Sequence, residues 1–324
     1  MDTGLDRLAS DAEVAKHVRG TKLALLAHPA SVTRDLVHAV EILIGVGGRP
    51  SVIFGPEHGY GGEAQDMIGV TDARDRRGIP VRSLYGETFA ACSPSDDDLT
   101  DVDLLVIDLQ DVGSRYYTFV WTAVLALRAC ARLKKRVIVL DRPNPIGCAM
   151  NSIEGHRQRP EFLSFVGLEP IPIRHALTLG ELVAWRAGEE GVSPEQLRIV
   201  PVSGLDRTEH APKWDRPFIL PSPNMPSYRT ALVYPGGCLV EGTNLSEGRG
   251  TTRPFELLGA PWIDGAKLAH DFHELNLAGV RVRPANFRPT FQKHAGETCG
   301  GVQVHVTDPL HFRPVTTYLA LITL

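Results

Sequence analysis

Cysteine is scarce. The 324 residues hold five (Cys92, Cys130, Cys148, Cys238, Cys299), an odd number never closer together than 18 positions. That spacing excludes a CxxC redox centre or a zinc knuckle and argues against a disulfide framework. Long apolar runs are missing too: LALLA at 23–27 and LLVI at 104–107 fall far short of the ~20 residues that a bilayer crossing requires, so no membrane span is expected. There is no basic excess, with 34 Lys and Arg against 38 Asp and Glu and a formal charge of −4. The scattered positive charges give no electrostatic drive toward nucleic acid or an anionic membrane, and a small-molecule or sugar partner fits better. The opening MDTGLDRLAS has no basic segment followed by an apolar one. A cytoplasmic protein is therefore expected, or a secreted one if its N-terminus has been trimmed. GxGxxG, GxxxxGK[ST] and GxSxG are all absent, so dinucleotide, nucleoside-triphosphate and serine-hydrolase readings lose support.

What is present describes a folded α/β chain. Apolar residues make up 43%, and this length suggests one large or two ordinary domains. In the first half, short β-branched runs at 21–27, 51–54, 79–85, 103–109 and 136–141 alternate with helical patterns at 35–44 and 118–133. The pattern predicts a Rossmann-like, mostly parallel sheet flanked by helices, its strands buried on both faces. Thr178 stands three residues before Glu181 in a capping box, so a helix is expected from there, followed by a strand at LRIVPV. Five prolines in residues 212–226 mark a crossing. The expected division is an N-terminal domain over 1–215 and a smaller α+β domain over 216–324, with a helix near 266–277, a strand at 301–306 and a terminal apolar helix.

Ligands of open parallel sheets sit beyond the carboxyl ends of the strands, and there the polar residues gather. After SVIF comes GPEHGYGGE, after LLVIDL comes QDVGSRYYT, and after VIVL comes DRPNP. Glu57, held between Pro56 and His58, suits a general acid if desolvation raises its pKa. It could equally cap a turn. His58 lies among glycines without the helical HExxH spacing, which favours a hydrogen-bonding role over metal ligation. Of Asp108 and Asp111 at most one can face the crevice, and Asp111 is the better candidate. Arg115 and Tyr117 suit a carboxylate and a sugar ring, or else a packed aromatic pair with a solvated cation. Asn144 follows the DRP turn and Asn224 sits in the stiff PSPNMP. The Gly-rich EGTNLSEGRGT gathers Glu241, Asn244, Glu247 and Arg249, as long polar functional loops do. Several carboxylates around one cleft are the equipment of acid/base hydrolysis, glycoside cleavage first. No cofactor is expected. A metal-dependent hydrolase using Glu57, His58, Asp111 and His175, and a non-catalytic sugar-binding protein, stay open as alternatives.

Seven motifs in order, GPEHG (55–59), DLQDVGSRYYT (108–118), LDRPNPIG (140–147), PSPNMP (221–226), YPG (234–236), EGTNLSEGRGT (241–251) and PFELLGAPWID (254–264), together resemble the exo-β-N-acetylmuramidase family of the NamZ type. The resemblance implies a Rossmann-like N-terminal domain, a smaller C-terminal one and a cleft between them. The implied activity is release of single N-acetylmuramic acid residues from the non-reducing end of peptidoglycan fragments. It carries the family's catalytic glutamate onto Glu57 and makes the Glu241 and Glu247 loop part of the cleft lining. Two departures stand out: His28-Pro29-Ala30 replaces the usual Asn-Gln-Thr after the first strand, and Cys148 replaces a common glycine. The family's C-terminal portion extends beyond Leu324.

Overall fold

The computed structural model describes residues 1–65, 73–86 and 88–324. The chain divides into two compact units. One comprises Met1–Cys148, Gln158–Pro170 and Ala176–Pro223, the other Ala149–Arg157, Ile171–His175 and Asn224–Leu324.

In chain order the first unit holds α1 (Gly4–Ser10), α2 (Ala12–Ala15), β1 (Leu23–Ala27), α3 (Ala39–Gly45), β2 (Pro50–Gly55), β3 (Ala73–Arg74), β4 (Pro80–Ser83), α4 (Asp96–Leu99), β5 (Leu104–Asp108), α5 (Phe119–Arg132), β6 (Arg136–Leu140), α6 (Leu179–Glu189) and β7 (Leu197–Val200). Among the described residues the sheet runs β3-β4-β2-β1-β5-β6-β7. Every pairing is parallel except β3 with β4. The fold is thus α/β and Rossmann-like, as the alternating pattern predicts. Leu23, Leu25 and Ala27 of β1, Leu104 and Val106 of β5 and Ile138 and Leu140 of β6 pack in one cluster with Leu5, Leu8, Val40 and Leu43 from α1 and α3. The intervening Ala24, Leu26, Leu105, Ile107, Val137 and Val139 are buried as well, which is why these strands read as unbroken apolar runs. The Thr178 and Glu181 capping box forms and starts α6.

The helix expected over 35–44 is shorter. Leu36 has φ +63° and is 56% exposed, a left-handed conformation that no helical ladder runs through. The helix begins only where the His38 ring accepts the Val40 N–H.

The second unit carries α7 (Tyr228–Gly237), β8 (Leu257–Ala260), α8 (Gly265–Glu274), β9 (Val280–Phe287), β10 (Cys299–Val306) and α9 (Pro314–Thr323). Its sheet is antiparallel in the order β8-β10-β9. Helix α7 contains Pro235, Gly236 and Gly237, poor helix formers that conceal it in the sequence. It forms because it packs closely: a Cβ on Gly236 would meet the Pro314 carbonyl oxygen at 2.0 Å. The unit's two short excursions pair through Glu154 and Arg174. The Glu154 carboxylate then accepts the Val315 and Thr316 N–H groups at 3.2 and 2.7 Å, capping α9 from 160 or so residues away. No helix among the described residues is long and apolar enough to cross a membrane.

Candidate active site

Because β1, β2, β5 and β6 run parallel, their carboxyl ends open on one side of the sheet. At the end of β2 the chain turns sharply back: a Cβ on Gly55 would stand 2.3 Å from the Tyr60 nitrogen, so only glycine fits. The Gly59 N–H closes the turn on the Pro56 carbonyl at 2.9 Å. His58 takes φ +70°, a strain of about 1 kcal/mol or more for a side chain of this kind. The strain is held in place by the His58 Nδ1–H, which donates to the Ala64 carbonyl at 2.8 Å. His58 is therefore a buried brace of the turn. Between these anchors lies Glu57, half-buried, its Oε2 accepting a 2.6 Å hydrogen bond from the Thr118 hydroxyl.

The strand order reverses between β1 and β5, the switch point where such sheets leave a crevice. His28, the first residue after β1 and fully buried, bridges it. Its Nε2 accepts the Gln110 N–H at 3.0 Å, and its Nδ1 faces the Pro221 carbonyl at 3.3 Å. These partners specify the neutral Nδ1–H tautomer. Burial, with the Arg142 charge adding to it, pushes the imidazole pKa down to about 3.

Past β5, Asp108 is locked in a buried two-pronged pair with Arg142, at 2.5 Å to Nε and 2.8 Å to Nη2. Asp111 is buried and accepts the Gly113 N–H at 2.8 Å. The Tyr117 ring is buried against Phe119 at 4.8 Å; burial drives its pKa far up, and both Asp111 and Glu57 add to the rise. Arg115 is half-buried, and its carbonyl accepts the Trp121 indole N–H at 2.7 Å. Asn144, expected to touch substrate, is buried, and its amide serves the Ile146 N–H and the Leu177 carbonyl. Past β6, burial raises the Asp141 pKa to about 6 against its bonds to Gly180, Thr178 and Arg142.

In the second unit the 241–251 loop is braced rather than loose. The Lys293 ammonium donates to the carbonyls of Val240, Glu241 and Leu245 at 3.1, 2.9 and 3.1 Å and stands 3.5 Å from Glu247. Arg249, stacked on Phe255, pairs with Glu241 at 2.7 Å and with Glu247 at 3.6 Å. Glu247 is buried, Glu241 exposed. Asn244 is exposed, and its carbonyl meets the His294 Nε2 at 2.8 Å. Asn224 is partly exposed at the first residue of this stretch. His175 is buried in the excursion Ile171–His175, whereas Glu57, His58 and Asp111 belong to the first unit. Among the described residues no group of three or more His, Cys, Asp or Glu could hold a metal ion.

Thr118, Arg142 and Lys293 escaped the sequence reading. Their partners lie 61, 34 and about 50 residues away, and no local spacing announces such bonds. His28 left one trace, as a departure from the family pattern.

Strand order defines the class: a Rossmann-like α/β protein with a smaller antiparallel α+β unit. The particular family follows from comparison with known proteins. Residues 23–229 match the N-terminal model, and residues 232–324 the C-terminal model, of exo-β-N-acetylmuramidase NamZ. The chain is 43% identical to peptidoglycan β-N-acetylmuramidase NamZ of Bacillus subtilis (strain 168), across 99% of this chain and 76% of that protein. The crystal structure of a DUF1343 family protein from Bacteroides fragilis superposes with a TM-score of 0.88 at 32% identity, covering 99% of this chain and 81% of that one. A second DUF1343 protein from the same organism gives 0.71 at 28%, covering 93% and 76%. The chain belongs to the exo-β-N-acetylmuramidase NamZ family, a family of glycosidases.

Proposed function

We propose that this protein removes N-acetylmuramic acid from the non-reducing end of peptidoglycan fragments, with Glu57 as the general acid. The observation that carries the reading is the placement of Glu57: a half-buried carboxyl at the mouth of β2, on a strained and braced turn, in a chain of this kinship. In the proposed step the Glu57 proton passes to the glycosidic oxygen. The bond from that oxygen to the anomeric carbon breaks, its electron pair staying on oxygen, and water adds hydroxide to the carbon. The water's remaining proton goes to a base.

Asp111 is the base we favour, because it is a buried carboxylate in the stretch after β5 that also carries Thr118, the hydrogen-bond partner of Glu57. Glu247 is buried between two cations and Glu241 is tied to one. The substrate's 2-acetamido group could act in place of a second carboxylate. Muramic acid carries a lactyl carboxylate that calls for a cation. Arg115, half-buried in the stretch after β5 that also carries Thr118, the partner of Glu57, is the candidate we favour.

Incubation with a chromogenic β-N-acetylmuramide beside the matching N-acetylglucosaminide tests the substrate, and release from the first alone is expected. Glu57→Gln should lower kcat by about a hundredfold or more while the protein melts at an unchanged temperature. Equal release from both glycosides would refute the substrate class, and full activity in the variant would refute the role of Glu57.

A further inference from the structure

We propose that Thr118 is a positioning residue for Glu57: its hydroxyl claims one carboxyl oxygen and so decides which oxygen carries the transferable proton. The proposal rests on the reading of Glu57 as proton donor given above.

A threonine just before a helix ordinarily turns its oxygen toward the N–H groups of the first turn, worth about 1 kcal/mol. Thr3, Ser95, Thr178 and Ser227 all do this in the present chain. Thr118 does not. It precedes α5, the fourteen-residue helix of the first unit, with φ −67° and ψ −15°, and makes no capping bond. Its hydroxyl goes to Glu57 Oε2 at 2.6 Å, the short range of an O–H···O contact with a carboxyl group.

Thr118 cannot drift from this post. It is 5% exposed, its carbonyl accepts the Trp121 and Thr122 N–H groups at 2.9 Å each, and the Trp121 indole is tied back to the Arg115 carbonyl. A rigid helix start therefore holds the donor, while the acceptor rides on the braced turn after β2.

A carboxylic acid has one proton for two oxygens. With an O–H donating into Oε2, the proton sits on Oε1, the oxygen left to face a leaving group. As that proton departs, charge grows on the carboxyl group, and both the hydroxyl and the positive end of the α5 dipole interact more strongly with it. The interaction strengthens along the reaction coordinate, which is what accelerates chemistry rather than binding.

Thr118→Val removes the donor at nearly constant shape, and Thr118→Ser keeps it. On the chromogenic muramide, Thr118→Val is expected to lower kcat about 10- to 100-fold, the loss of one charge-assisted bond, with KM changed less than about twofold. Thr118→Ser should recover most of the rate. In a Glu57→Gln background, Thr118→Val should cost nothing more, since the group it orients is gone. Should the valine variant fail to fold, Thr118→Ala against Thr118→Ser makes the same comparison. Undiminished kcat in the valine or alanine variant, a rise in KM alone, or an equal further loss in the Glu57→Gln background would overturn the proposal. An active Glu57→Gln enzyme would instead remove the reading on which it rests.

Discussion

At the scale of single residues, His28 makes two bonds of opposite sense and can make both only while neutral. Gln110 donates to one ring nitrogen and the Pro221 carbonyl accepts from the other, so a second ring proton would abolish the first bond inside a dry core. Its pKa is about 3 in the fold against 6.5 for a free histidine. Between those values the unfolded chain takes up a proton that the native one refuses. The stability contributed by His28 is therefore complete above pH 6.5 and is lost as the pH falls toward 3, at about 1.4 kcal/mol per pH unit. Asp141 has the opposite sign. Its pKa of about 6 lies above the ordinary 3.8, so its contribution is complete below pH 3.8 and lost as the pH rises through 6. Comparing wild type with His28→Asn cancels Asp141 and every other common group. The stability difference in urea should shrink steadily from pH 6.5 to 4.5, and a difference constant across that range would refute the assignment. His28 also shows the limit of motif reading, because the residue that departs from the family pattern was visible but its partners at 110 and 221 were not.

Elements differ in how far their own residues specify them. Helix α6 was legible because its start is local: Thr178 and Glu181 cap one another across three positions. The strands β1, β5 and β6 were legible because burial on both faces leaves an unbroken apolar run. Helix α7 was not, since Gly236 answers to Pro314 nearly eighty residues on and Gly237 to Phe255, and the start of α9 waits on Glu154. The 241–251 loop belongs with these. Its composition reads as a flexible polar segment, yet one ammonium group satisfies three of its carbonyls. Lys293→Met should lower stability by about 1–3 kcal/mol, through unpaired carbonyls and a Glu247 left with one cation fewer. The amides of residues 241–249 should exchange faster with deuterium in the same variant. Unaltered exchange there would show that the loop holds its shape without Lys293.

For the whole molecule, the five cysteines are all free and four of them are buried, so nothing covalent braces the fold. The melting temperature should be the same with and without dithiothreitol, and a shift of several degrees would reveal a disulfide. The sequence alone settled the α/β class, most of the strands and the longer helices of the first unit, the strand mouths where polar groups gather and the family, because periodicity, caps and contiguous motifs are short-range patterns written within a few residues; the short α1, α2, β3 and α4 are too brief to show such periodicity. Folding in three dimensions was needed for His28 to bridge the switch crevice, for Asp108 to be bound to Arg142 while Thr118 grips Glu57, and for the Gly-rich loop to be pinned. Each of those outcomes is a bond between groups tens to hundreds of residues apart, and such a bond exists only once the sheet order has brought its two ends together.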